Sequence, residues 1–150
     1  MTTLQKGDKA PDFSAVDQDG KLHSLSDYKG KKLVVFFYPA ASTPSCTIEV
    51  CNLRDNYERF MAQGYVLLGV SADTKKKQSN FKNKHELPFP LLADEDKKVI
   101  EAFGVWGPKK FMGREFDGIH RTTFVIGENG IIEEVILKVK TKEHTDQILK

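Results

Sequence analysis

The sequence predicts an α/β protein built on a mixed central sheet, and three observations carry that expectation. Strand-like and helix-like stretches alternate along the chain. Two of the strand-like stretches, Leu33-Val34-Val35-Phe36-Phe37-Tyr38 and residues 66–70, are almost wholly apolar, as central strands covered on both faces are. Near the end, two more meet at Gly127-Glu128-Asn129-Gly130, whose Asn-Gly pair signals a hairpin and hence an antiparallel strand in the sheet.

The 150 residues fit a single domain, 1–150, large enough to bury a core without a disulfide or a metal. No repeat, linker or low-complexity segment interrupts them. A net charge of +2 is too mild to argue for nucleic acid or a membrane surface, and Lys75-Lys76-Lys77 reads as a solvated face. Residues 1–12 lack the basic-then-apolar order of a signal peptide, and no apolar run approaches the roughly 18 residues of a membrane span. The expected setting is cytoplasmic, where a pair of cysteines is more often catalytic or redox-active than a resting structural disulfide.

Taken in order, residues 12–16 and 22–24 can pair across Asp17-Gln18-Asp19-Gly20 as a short hairpin, followed by a helical turn over 25–28 that Gly30 stops. After the strand at 33–38 a helix is predicted over residues 43–63, ended by Gly64. Its apolar stripe runs Cys46, Val50, Leu53, Tyr57, Phe60, a core-facing spacing. A strand at 66–70, a Lys-rich helix at 74–87 and a short strand at Leu91-Leu92 come next. Asp94-Glu95-Asp96 then opens a helix through Phe103, with acidic residues at its positive end rather than as a metal cluster. Residues 104–118, with four glycines, Trp106, Phe111 and Phe116, read as a long aromatic loop whose rings pack. Strands at 122–126 and 131–139 and a last helix at 143–150 complete the chain. This is the element order of a thioredoxin-like three-layer fold with an N-terminal hairpin extension and an inserted strand-helix.

The chain's only two cysteines, Cys46 and Cys51, follow the first central strand. With Thr43 as N-cap and Pro44 at the first helical position, Cys46 falls at the third. Free N–H groups and the helix dipole favour thiolate there. The Thr43 hydroxyl can accept from a backbone N–H and still donate to the sulfur or a bound oxygen. The helix end supplies up to about 2 kcal/mol when partly buried, and desolvation on an apolar stripe works against it. A strongly favoured thiolate therefore needs a cation. Arg54, Arg59, Arg114 and Arg121 are the arginine candidates, and sequence physics does not choose among them. Arg121 is best placed, just before the strand at 122–126, whereas Arg54 is eight residues along the helix. Cys51 sits about 140° around an intact helix from Cys46 and about 7.5 Å along it. The two cannot bond while that helix stands.

At these residues the chain resembles a known family. Pro39-Ala40-Ala41-Ser42-Thr43-Pro44-Ser45-Cys46 is similar to the peroxiredoxin pattern Pro-x-x-x-Thr-x-x-Cys. A second cysteine five residues on resembles the bacterioferritin-comigratory-protein (PrxQ-like) subgroup, atypical two-cysteine enzymes. Gly7-Asp8-Lys9-Ala10-Pro11-Asp12-Phe13, Leu92-Ala93-Asp94-Glu95-Asp96, Phe103-Gly104-Val105-Trp106-Gly107 and Gly118-Ile119-His120-Arg121 extend the resemblance from about residue 7 to the C-terminus. It departs at Ser45, where relatives often carry glycine.

The resemblance implies a thiol-dependent peroxidase acting on hydrogen peroxide and organic hydroperoxides. Cys46 corresponds to the peroxidatic cysteine and Cys51 to the resolving one. Thr43 and Pro39 match motif positions around the peroxide, and Arg121 matches the family's active-site arginine. It further implies a sulfenic acid, an intramolecular disulfide formed after local helix unwinding, and recycling by a thioredoxin-type dithiol. No metal or other cofactor is implied. A monomer is expected, with a dimer as the alternative, because the disulfide closes within one chain.

Beside the plain reading that both cysteines are inert core residues, as free cysteines often are, three other readings compete. A thioredoxin-like reductase wants Cys-x-x-Cys rather than a spacing of five. A zinc site would have to draw on His23, His85, His120 and His144, which are scattered without ligand spacing. The third is a binding module that kept the fold and lost its chemistry.

Overall fold

The computed structural model describes residues 2–149. A five-stranded sheet has the order β5-β4-β3-β8-β9. Its strands are β3 (Lys32–Phe37), β4 (Tyr65–Ser71), β5 (Leu91–Ala93), β8 (Thr122–Ile126) and β9 (Ile132–Ile136). β3, β4 and β5 run parallel, and β8 and β9 add antiparallel, so the sheet is mixed. The N-terminal hairpin is β1 (Ser14–Val16) with β2 (Leu22–Ser24), followed by a 3₁₀ turn at Leu25–Tyr28.

β3 explains the three layers. Its alternate residues enter two separate cores. Val34 and Phe36 face α1 (Pro44–Asp55), α2 (Tyr57–Ala62), α3 (Lys75–His85) and α5 (His144–Ile148). Leu33, Val35 and Phe37 face α4 (Lys98–Ala102) and the N-terminal segment. At Gly69, beside Phe36, a Cβ would meet Leu91 at 2.7 Å and Phe36 at 2.8 Å, so the sheet approaches its neighbours too closely there for a side chain.

Several sequence expectations need correction. The helix expected over 43–63 is two helices, α1 and α2, parted at Asn56. The Asn56 amide donates to the Asn52 carbonyl at 2.8 Å, the side-chain competition with backbone bonds that makes asparagine a poor interior residue. The helix expected from Asp94 begins only at Lys98. Asp94 caps it from the preceding turn, accepting from the N–H groups of Val99 and Ile100.

The aromatic loop expected at 104–118 is largely a hairpin, β6 (Trp106–Phe111) with β7 (Arg114–Ile119). Met112 and Gly113 both have positive φ, 52° and 77°, as tight two-residue hairpin turns require. Pro108 is tolerated because a two-stranded ribbon has no central strand. Phe111, Met112 and Phe116 are exposed, so the ring packing expected of this stretch is confined to Trp106, which Lys97 covers at 4.6 Å. β9 ends at Ile136, short of the expected 139. Among the described residues no helix is long and apolar enough to cross a membrane.

Candidate active site

The site is built where β3 hands over to α1. Its entry turn is pinned to the end of β4: the Ala41 N–H donates to Asp73 Oδ2 at 2.7 Å, and the Ser71 hydroxyl donates to the same oxygen at 2.7 Å. Ser42 takes a left-handed conformation, φ 65°, and Thr43 returns to extended backbone as the N-cap. Pro44 then occupies the first helical position and Cys46 the third, as the sequence predicts. The capping detail differs. The Thr43 hydroxyl donates to the Ala40 carbonyl at 2.8 Å and accepts no helix N–H, which leaves the amide end of α1 without a side-chain cap. Pro39 is half-buried in the same turn and Thr43 is exposed.

Cys46 is fully buried, and Arg121 reaches it from the turn between β7 and β8. Arg121 Nη2 lies 3.4 Å from Cys46 Sγ. Its Nη1 donates to Glu49 Oε1 at 2.5 Å. Burial works against the guanidinium charge, but the neighbouring Glu49 and Cys46 outweigh it and hold the group above its ordinary value. The other arginines are engaged elsewhere or exposed. Arg54 pairs with Asp55 and donates to the His85 carbonyl, Arg59 meets Asn56 and Asp146, and Arg114 begins β7 in solvent. Of the four, the geometry brings Arg121 to the sulfur.

Cys51 stands apart. It is half-buried, a free thiol like Cys46, with Sγ 3.9 Å from His85 Nδ1 on α3. Both cysteines lie on the unbroken α1, so they do not meet here. His120 donates its N–H to Val105 and sets its ring against the Pro108 carbonyl, holding the hairpin rather than facing the sulfur. Among the described residues no group of three His, Cys, Asp or Glu side chains converges on a point that could hold a metal ion.

Sequence reasoning missed Glu49 and His144. Glu49 is fully buried, and burial pushes its carboxyl up to about 7 against the opposing pull of Arg121. It sits three residues after Cys46, so both lie on one helix face; that spacing is the signal that could have found it. His144, from α5, is equally buried, and its Nε2 lies 3.6 Å from Glu49 Oε2.

Comparison with known proteins gives this arrangement its context. Residues 6–135 match the AhpC/TSA family model. Peroxiredoxin Bcp of Escherichia coli is 48% identical over 149 residues, 99% of this chain and 96% of that protein. Peroxiredoxin Bcp of Bacillus subtilis is 45% identical over 148 residues, 99% and 94% of the two chains. Among solved structures, bacterioferritin comigratory protein of Xanthomonas campestris, described for its alkyl peroxide reduction activity, superposes with a TM-score of 0.88 at 34% identity, covering 93% of this chain and 88% of that one. A cysteine-to-serine variant of Xylella fastidiosa PrxQ superposes with a TM-score of 0.92 at 29% identity, covering 99% and 95%. With close to half its residues shared with such relatives along nearly its whole length, the chain belongs to the AhpC/TSA family and, within it, to the Bcp (PrxQ) peroxiredoxins, enzymes that reduce peroxides through a thiol.

Proposed function

We propose that Cys46 is the peroxidatic residue and Cys51 the resolving residue of a peroxidase acting on hydrogen peroxide and organic hydroperoxides. The observation that carries this reading is the 3.4 Å approach of Arg121 to a buried sulfur at the third position of α1. A thiolate there is supported by a full cation and by the uncapped amides of the helix end.

The Cys46 thiolate attacks one peroxide oxygen along the O–O axis. The S–O bond forms as the O–O bond breaks, and the electron pair leaves on alkoxide or hydroxide, which takes up a proton. Arg121 and the amides at the start of α1 stabilise charge on the departing oxygen, joined by the Thr43 hydroxyl once its hydrogen turns from the Ala40 carbonyl to the peroxide. Pro39 shields the sulfur from water. The product is a sulfenic acid at Cys46.

Residues 44–51 then unwind, because no rotation of the side chains alone brings sulfurs five residues apart on a helix together. Cys51, as thiolate, attacks the sulfenic sulfur, hydroxide departs and is protonated to water, and an intramolecular disulfide remains. A thioredoxin-type dithiol returns both thiols by exchange, itself becoming a disulfide. The chain acts as one domain and as a monomer. A cytoplasmic setting supplies such dithiols.

One equivalent of hydrogen peroxide added to the reduced protein tests the reading. Both thiols should disappear within seconds with one intramolecular disulfide formed. Cys46→Ser should be inert and Cys51→Ser should stop at sulfenic acid. Loss of both thiols at the rate of a free cysteine would refute it.

A further inference from the structure

Glu49 Oε2 is a fully buried carboxyl oxygen without a hydrogen-bond partner. It faces His144 Nε2 at 3.6 Å. The hydrogen inventory of His144 is fixed by its other neighbours. Gln147 Nε2 donates to the Lys138 carbonyl at 2.9 Å, and Gln147 Oε1 accepts from the Lys140 N–H at 2.9 Å, which sets the orientation of that amide. Gln147 Oε1, an acceptor, lies 2.8 Å from His144 Nδ1, so Nδ1 carries a hydrogen. Nε2 lies 2.7 Å from the Thr123 hydroxyl.

If the ring carries only the Nδ1 hydrogen, Nε2 accepts from the Thr123 hydroxyl, and Glu49 Oε2, a carboxylate oxygen inside the core, is left facing that nitrogen with no donor of its own. One proton removes the conflict. Placed on Nε2 it makes an imidazolium that donates towards Glu49 and Thr123; placed on Oε2 it makes a carboxylic acid that donates to Nε2. The charged groups around the pair are few. Arg121 holds Glu49 Oε1 from the β7–β8 turn, and Cys46 shares α1. Lys109 of β6, near Arg121 and Cys46, donates to the Ile119 carbonyl. On α5 itself Glu143 and Asp146 are exposed, and Asp146 meets Arg59.

We propose that His144 is a positioning residue for peroxide reduction: it shares one proton with Glu49, and that proton sets how much of the Arg121 charge is left for Cys46 and the peroxide oxygens. With the proton present the pair is neutral overall, and Arg121 acts on the sulfur as a full cation. With the proton gone Glu49 is an anion, Arg121 is neutralised by it, and the transition state loses support. Burial works against the charged form of both groups, raising Glu49 and lowering His144. The inference rests on Cys46 and Arg121 having the roles proposed above.

The test is the rate of the first oxidation step with hydrogen peroxide, followed by stopped flow from pH 5 to 10. The native protein should show an alkaline fall of about tenfold, equivalent to about 1.4 kcal/mol at the transition state. Glu49→Gln should lose that alkaline limb, and His144→Gln should move its midpoint, because Glu49 then holds the proton alone. A His144→Gln variant that keeps the native pH profile at reduced amplitude would mean a merely structural histidine and would overturn the proposal. Because a buried histidine variant can fail to fold, ¹⁵N chemical shifts of His144 in the intact reduced protein give a second reading. A proton-sharing ring titrates together with the Glu49 carboxyl. A ring that stays neutral with hydrogen on Nδ1 alone, while Glu49 titrates without it, overturns the proposal. Failure of the underlying assignment looks different: Cys46→Ser would still react, or Arg121 variants would react at the native rate.

Discussion

Cys46 and Cys51 share one unbroken helix yet face different neighbours, Cys46 lying against Arg121 and Cys51 against His85 on α3. Any bond between them therefore requires a change of backbone. The oxidised protein should lose about two turns of helix at the start of α1. Far-UV circular dichroism should fall accordingly, and the amides of residues 47–51 should exchange quickly in the disulfide form while those of α3 stay protected. Identical spectra and protection in the two redox states would show that the helix does not open.

Arg121 touches Cys46 with one nitrogen and Glu49 with another. Arg121→Met removes the cation and should slow the reaction of Cys46 with peroxide by about 10²–10³-fold, the size typical for loss of one preorganised charge-stabilising donor. Arg121→Lys should recover little of it, since a point charge cannot hold both partners at once. Stopped-flow oxidation of the two variants measures this directly; native rates would exclude the arginine.

Glu49 makes stability depend on pH. Its carboxyl is raised from 4.5 to about 7 in the folded state, burial outweighing the attraction of Arg121. Between those values the folded protein binds more protons than the unfolded chain, so this group's contribution is full below pH 4.5 and is lost as pH rises to 7. The full loss is on the order of a few kcal/mol. Relative to the native protein, Glu49→Gln should become progressively more stable across this window in urea titrations. A difference that is constant with pH would count against the shift. His144 is lowered by burial and acts in the opposite sense, losing stability as pH falls below its unfolded value.

Asn52 ties α1 to the C-terminal helix. Its side chain donates to the Lys142 carbonyl at 2.9 Å and accepts from the Thr145 N–H and hydroxyl, each at 2.8 Å. Asn52→Ala leaves a part-buried N–H without its acceptor and should cost about 1–3 kcal/mol. Amide exchange should accelerate first over His144–Ile148. Equal protection of that helix in variant and native protein would mean the tie is dispensable.

What was legible in the sequence follows from how locally each feature is encoded. Residues 33–38 announce a central strand because both faces of that strand are buried. Pro44 at the first helical position marks where α1 starts, and with it the position of Cys46. Arg121 needed the family resemblance, because its contact spans 75 residues. The β6–β7 hairpin was hidden because an exposed ribbon has no buried face to impose alternation, and its turn is Met112-Gly113 rather than Asn-Gly. Glu49 escaped for a different reason. A charge between Cys46 and Val50 resembles the solvent side of a helix until the partner 72 residues away is known.

The Ala41–Asp73 and Asn52–Thr145 hydrogen bonds grip the two ends of the segment that would open. Unwinding raises the chain's reach from about 1.5 to about 3.3 Å per residue. If both grips hold, the distance between them stays fixed while the thread connecting them lengthens. Such a segment has to buckle, and with the sheet beneath it the free direction is outward. The same two fastenings that keep α1 taut in the reduced protein would make the oxidised segment bow into solvent, lifting a sulfur that is buried at rest to where another protein's thiol can reach it.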